Sequence, residues 1–499
     1  MDAGMRTPPL HRWLDAFSGA LLLMITVWTP WAFAGTTTWS RWTLCGAGYG
    51  LGVLLLAKHL VRLRTHFSPA RWVQPTPAGL WAVRALAVLT VVGLEYVLVS
   101  WSNVRASLLM GLRGRYTRST PRPSVAWLPT TYDAGSTFQA LILYGGLVCI
   151  FWAARDWLLG RSRYERHDSE SVPFPPDRLR WLLWTLCLSS ALLALVSMTQ
   201  RLDGTDRLLW ILPTSIPWQL HPRYLNPSGQ SWGPFSARIA GVAYFNLVWP
   251  VALGFWWSLR ASAIRRAGIA HRIGGDASVI LLPATLLMAA CPWMAGARSG
   301  ALVSLGQWGI CLLVLATIPR PAGRWNRALT VLGALALLGV VALMVGGPLQ
   351  TLFDQHFSDS PDNRAAIRQV TARMSDDAGW LGTGAGSFAG LYSLYRTSPE
   401  DRWLAFAQND WMELRITMGW CGLALAVLLL MLLGVVWRTG CGRRVPREFL
   451  LLLAVALGGA LIQAGFEFPF QVPAVALVFL LLAAVALATP GIGSRHGDL

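Results

Sequence analysis

Lysine is nearly absent from this chain: Lys58 is the single Lys among 42 basic residues. Charge of either kind is scarce. Charged residues make up 13% of the sequence, against about a quarter in soluble domains. That shortage excludes a set of ordinary soluble domains. The seven cysteines (Cys45, Cys149, Cys187, Cys291, Cys311, Cys421, Cys441) form no C-x-x-C pair. Neither a metal knot nor a disulfide framework is therefore indicated. Lying within or beside apolar runs, they read as small packing residues. No internal repeat and no low-complexity tail appears.

What the chain has instead is hydrocarbon. Apolar residues make up 54% of it, in runs of about 17–25 residues that each suffice to cross a bilayer. Lipid offers backbone groups no hydrogen-bond partner, so such runs must close as helices. The spacing predicts about twelve transmembrane helices, at 16–34, 43–57, 79–101, 136–157, 181–198, 239–258, 277–295, 300–317, 329–347, 414–437, 449–466 and 472–489. The fold class is an all-α polytopic membrane protein with a helical extramembrane cap. The run near Ala16 to Ala34 is long for a signal peptide, and further spans follow at once, so it reads as a retained first helix.

A formal charge of +18 first suggests nucleic acid. The basic residues, however, sit in short blocks between apolar runs, such as Arg161/Arg163/Arg166 and Arg438/Arg443/Arg444. That is the positive-inside pattern. It places both termini in the cytoplasm and removes nucleic acid as a partner. Three loops on the outer side are long, at about 102–135, 199–238 and 348–413. The chain then divides into helices 1–4 with their cytoplasmic loops (1–180), helices 5–9 (181–347), the largest outer loop (348–413) and helices 10–12 (414–499).

Polar groups at the outer membrane face are where chemistry is expected. The first cluster is the tight turn Ala297-Arg298-Ser299-Gly300. At headgroup depth the Arg298 guanidinium either grips phosphate oxygens or snorkels to the interface. The second opens at Asp362-Asn363-Arg364 and includes Arg368; in a helix, this i,i+4 pair shares one face. Two such cations suit a diphosphate, and a solvated helix face is the plain alternative. Next comes Gly382-Thr383-Gly384-Ala385-Gly386-Ser387-Phe388. No strand precedes it and no P-loop Lys follows, so it reads as a turn allowing close backbone approach.

The third cluster is Gln408-Asn409-Asp410-Trp411-Met412-Glu413, where the loop re-enters the membrane. Asp410 and Glu413 are i,i+3, and either is a candidate general base if burial raises its pKa. The plain reading is a helix N-cap by Asn409 or Asp410. Nearby aromatics (Tyr392, Tyr395, Trp403, Trp411) suit either sugar stacking or an interfacial belt.

In this order and at these depths, the clusters resemble the O-antigen ligase and polymerase superfamily over roughly 180–440. Gly233-Pro234-Phe235 and the proline-bearing run to Gly254 resemble its opening loop and span. Ala297-Arg298-Ser299-Gly300 resembles its Ser-Arg turn, and Arg364 through Phe388 its Arg and Gly-x-Gly-x-Gly-x-Phe stretch. Gln408-Asn409-Asp410-Trp411 with Gly419 and Gly422 resembles its His-Asn-Asp-Tyr…Gly-x-x-Gly ending.

The resemblance implies a GT-C-like fold in the bacterial inner membrane and glycosyl transfer on the periplasmic side, without metal or other cofactor. The implied donor is an undecaprenyl-pyrophosphate-linked glycan, and the acceptor is a sugar hydroxyl on a lipid or growing chain. Arg298 and Arg364 would then neutralise the pyrophosphate, Asp410 and Glu413 would serve catalysis, and Arg368, Gln408, Asn409, Trp411, Gly384 and Gly386 would bind substrate. Gln408 stands where the family's ligases carry His, and a glutamine accepts no proton at neutral pH. That leaves Asp410 or Glu413 as the base, leaving-group stabilisation alone, or a divergent activity. Two other readings stand beside the enzyme. A small-anion transporter would place its charges in mid-membrane, where Arg84 and Glu95 are the clearest candidates. A homologue without activity would bind lipid-linked glycan and stop there.

Overall fold

Local chemistry sets where the helices begin. The computed structural model describes residues 8–67, 69, 77–110, 116–162, 165, 174–205, 207–213, 231–267, 277–317, 361–395, 405–439 and 445–493. Helix α1 (Pro9–Trp31) opens on a proline, whose fixed φ suits a first turn. Helix α2 (Thr38–Thr65) is capped by Thr37, which accepts from the Ser40 N–H at 3.4 Å. After α3 (Pro77–Ser102) comes α4 (Ala134–Leu158), capped by Asp133 on the Ser136 N–H at 3.0 Å. Helix α5 (Asp177–Asp203) ends on Gly204 in the left-handed region.

The second half holds α6 (Arg238–Ala267), α7 (Leu281–Met294), α8 (Arg298–Thr317), α9 (Pro361–Asp377) and α10 (Phe388–Tyr395). It closes with α11 (Asp410–Thr439), α12 (Arg447–Gln463) and α13 (Pro473–Gly493). Every predicted span except 329–347 coincides with one of these helices; that one lies outside the described residues. The second span is longer than its apolar run suggested, because α2 continues through Lys58, Arg62 and Arg64. The pair at 277–317 is two separate helices joined by a turn at 295–297.

Two short antiparallel hairpins depart from a purely helical chain. They pair β1 (Ala106–Met110) with β2 (Tyr116–Pro121), and β3 (Arg207–Leu208) with β4 (Leu212–Pro213). Both lie in the long loops at about 102–135 and 199–238, outside the spans.

Burial sorts the bundle. Nearly all of the most apolar stretch of α6 is buried (94%), against 17% for α3 and α11, so α6 is central and the other two peripheral. Leu302, Leu313, Val88 and Met431 point outward and are more than half exposed. In water such a surface would aggregate; here it is the lipid-facing girdle. Helices α2 and α4 touch through glycine. A Cβ on Gly48 would lie 2.5 Å from the Gly146 carbonyl oxygen, the close approach that small residues give membrane helices.

The end opposite the long loops is tied by charge. The Lys58 side chain is fully buried between Asp156 at 2.9 Å and Asp15 at 3.4 Å. Arg62 grips both oxygens of Asp156, at 2.8 and 2.9 Å. Arg178 joins Asp15 at 2.5 Å and the Trp157 carbonyl at 2.7 Å. Four helices therefore meet at one network, in which each buried charge has an opposite partner.

Candidate active site

The turn before α8 puts Arg298 first in that helix, half-buried at the loop end of the bundle. Its neighbour Ser299 donates its hydroxyl to Glu467 Oε1 at 2.5 Å. One residue further, the Gly300 carbonyl accepts from Asn246 Nδ2 at 2.9 Å, and the same amide donates to Gln463 Oε1 at 3.1 Å. Asn246 and Gln463 are fully buried. Buried amides cost free energy unless bonded, so this pair fixes the turn between α6 and α12.

Glu467 lies in the α12–α13 turn, and that turn also receives the start of α11. The Asp410 N–H is shared between the carbonyls of Ala464 (2.9 Å) and Glu467 (3.1 Å). The Asp410 carboxylate accepts the Phe470 N–H at 2.8 Å and Gln471 Nε2 at 3.0 Å. Asn409 is the N-cap of α11: its Oδ1 accepts from the Met412 N–H at 3.0 Å, and its amide donates to the Gly465 carbonyl at 2.7 Å. Trp411 Nε1 donates to the Leu461 carbonyl at 3.2 Å. The Glu413 carboxylate accepts the Ala407 N–H at 3.0 Å.

Asp410 and Glu413 are 7% and 3% exposed, yet both line a cavity of about 410 Å3 together with Gly386, Trp411 and Gln471. Two carboxylates thus stand at the polar end of an otherwise apolar space. Gln408 is exposed, with φ 54°, and does not line it.

The glycine-rich stretch serves the backbone. Helix α11 breaks at Gly419 (φ 67°, ψ −165°), freeing carbonyls near the membrane face. The Thr383 N–H bonds the Ile416 carbonyl at 3.0 Å and the Gly384 N–H the Thr417 carbonyl at 2.8 Å. Tyr96 Oη, from α3, donates toward the carbonyls of Leu381 (2.5 Å) and Met418 (3.1 Å). A Cβ on Gly382 would fall 2.5 Å from the Gly419 nitrogen. A broken helix survives at this depth because neighbours meet its freed groups.

Helix α9 carries positions 364 and 368 on one helical face. The side chains of Arg364 and Arg368 lie outside the described residues, as do His356 and Trp403. The expected convergence of Arg298 with Arg364 therefore lies outside them too. Helix α9 packs Val370 and Met374 with Phe388, Leu391, Tyr392 and Ile416, which seats the cap on the start of α11. Tyr392 belongs to that core, while Tyr395 bonds Asp377 at 2.8 Å. Burial and that carboxylate push the Tyr395 phenol well above its ordinary pKa, so it stays a donor. Arg84 and Glu95, on α3, face outward.

Sequence reasoning did not single out Glu467, Gln463, Asn246 or Tyr96. Each was visible as a polar residue in or beside an apolar run, the signal that marks functional groups in a membrane. No curated protein matches the chain. Residues 283–427 match the Wzy_C family model, described as O-antigen ligase; this is narrower than the resemblance read over 180–440. The matched stretch holds the Arg298 turn, α9, the glycine-rich turn and the Asp410–Glu413 re-entry, and over these residues the chain is similar to O-antigen ligases.

Proposed function

We propose that this multi-pass membrane protein transfers a glycan from a polyprenyl-pyrophosphate carrier to a sugar hydroxyl, at the periplasmic face of the bacterial inner membrane. The observation that carries the reading is the link from Ser299 through Glu467 to Asp410. It brings the turn of a phosphate-binding arginine against two buried carboxylates.

The chemistry divides between them. Breaking the bond from the sugar C1 to the pyrophosphate oxygen sends the electron pair onto that oxygen. Arg298, and Arg364 from α9, neutralise the growing charge, and the N-terminus of α8 adds its partial positive charge. The acceptor hydroxyl oxygen bonds C1 and passes its proton to Asp410 or Glu413. No His is needed at position 408 on this scheme, since the carboxylates line the cavity and Gln408 does not.

A small-anion transporter is less well supported. The charges inside α3 face away from the bundle, and the carboxylates that line the cavity stand at its loop end rather than in mid-span. The deciding experiment is a gel of surface glycans from a deletion strain. Loss of long chains with one unit still attached identifies a polymerase, and loss of all attached glycan a ligase. Unchanged banding would end the proposal.

A further inference from the structure

Arg41 stands near the start of α2 and is only 9% exposed. Its guanidinium donates to the Gln139 carbonyl of α4 at 3.4 Å, long for a charged donor. Among the described residues no carboxylate pairs with it. The contrast lies at the other end of the same helix, where Lys58 meets two carboxylates and Arg62 grips one of them. Burying a cation without an anion costs free energy. Arg41 is half of an ion pair.

Beside it α2 and α4 part into a cleft of about 30 Å3, lined by Thr38, Arg41, Trp42, Cys45, Gln139 and Ile142. That is room for about two water-sized oxygens. The floor is closed by close helix packing, since a Cβ on Gly146 would lie 3.3 Å from the Cys45 Cα and one on Gly48 2.5 Å from the Gly146 oxygen. A guanidinium fork beside a two-oxygen space matches a phosphate held bidentately. Thr38 brings a hydroxyl, and the N-terminus of α2 a partial positive charge.

Depth and flank point to the source of that phosphate. Arg41 is 17 residues from Lys58, about 26 Å along the helix. It therefore lies near the opposite rim of a hydrocarbon layer about 30 Å thick. Trp39 and Trp42, 52% and 51% exposed, flank it, as indoles do at headgroup level. Below Trp42, the exposed side chains of Tyr49, Val53 and Leu56 fall on one face of α2 at helical spacing. A free anion has no use for that stripe, whereas an acyl chain lies along it.

We infer that Arg41 and the α2–α4 cleft seat the phosphate of one phospholipid from the leaflet at the loop end, with an acyl chain on the Trp42–Leu56 stripe. The site is separate from the carboxylate cavity, whose α4 wall is Tyr144, Leu147 and Phe151. It does not depend on the glycosyl-transfer reading.

The experiment titrates full-length protein in dodecyl maltoside with palmitoyl-oleoyl phosphatidylglycerol, recording native mass spectra and melting temperature. Parallel arms use inorganic phosphate and dioleoylglycerol, which carry the phosphate and the chains separately. Phosphatidylglycerol should fill one tight site and raise the melting temperature, and neither half-ligand should do so at equal concentration. Arg41→Gln should weaken that site about tenfold or more, the loss of one charge-assisted contact. Arg41→Lys keeps the charge without the fork; it should fall between the two, and it serves the same comparison if the uncharged variant does not fold. Arg64→Gln, an exposed cation near the far end of α2, should bind as the wild type does.

An equal response to inorganic phosphate would make this a site for free anions, and an equal response to dioleoylglycerol would reduce it to apolar contact. Either overturns the inference, as does tight lipid binding that is unchanged in the folded Arg41 variants.

Discussion

Ser299 and Glu467, 168 residues apart, meet at 2.5 Å. Their bond fixes the turn that carries Arg298 against the turn that receives Asp410. Glu467→Ala should therefore lower transfer about tenfold or more, in line with the effect of misplacing a substrate-positioning group. Glu467→Gln, which keeps an acceptor for the Ser299 hydroxyl, should recover most of it. Kinetics of the two variants at equal protein levels would check this, and equal loss in both would mean that Glu467 acts through its charge.

Arg298→Ala should abolish surface glycan assembly in cells without lowering the amount of protein. Loss of one preorganised charge at a leaving group costs about 10²–10³ in rate. Arg298→Lys should restore little, because a point charge does not reproduce the bidentate fork. Normal glycan banding in the alanine variant would contradict the assignment.

Of the two carboxylates, the one that takes the acceptor proton should be identified by Asp410→Asn and Glu413→Gln. Removing a general base costs about 10²–10⁴ in rate. A carboxylate base works only while ionised, so wild-type activity should fall as pH drops below its pKa. The variant lacking the base should lose that acid limb as well as its rate. A variant that is slow but keeps the wild-type pH profile marks the carboxylate that only holds structure.

Gly382→Ala should destabilise the folded protein by about 1–3 kcal/mol, the usual cost of a forced backbone conformation. It combines a φ of 69° with a Cβ that would strike the Gly419 nitrogen. A lower melting temperature in detergent would register it. Gly458→Ala, where a Cβ meets nothing within 4 Å, serves as the control.

At the far end of the bundle, Lys58→Met should leave Asp15 and Asp156 short of a cation. Removing one partner from a buried ion pair costs about 3–5 kcal/mol. The effect should appear as a lower melting temperature and less protein in the membrane. An unchanged melting temperature would mean that Arg62 and Arg178 balance the two carboxylates alone.

Much of the architecture was legible in the chain itself. Apolar runs of bilayer length must become helices, and the tight turn at Arg298 followed from two runs with almost nothing between them. Asn409 as N-cap was readable for the same local reason, a short polar side chain just before an apolar run. The Gly-rich stretch read as a turn, but its partner, the break at Gly419, was not predictable. That contact joins residues 37 apart and depends on which carbonyls the break frees.

Sequence alone determined the class of molecule, the positions of its helices and the polar clusters worth examining, because hydropathy and spacing act over neighbouring residues. Tertiary packing decided which clusters meet. It brought Glu467 between Ser299 and Asp410, placed Asp410 and Glu413 over an apolar cavity, and left Gln408 outside it. Such pairings join residues far apart in the chain through helix packing, and no local pattern encodes them.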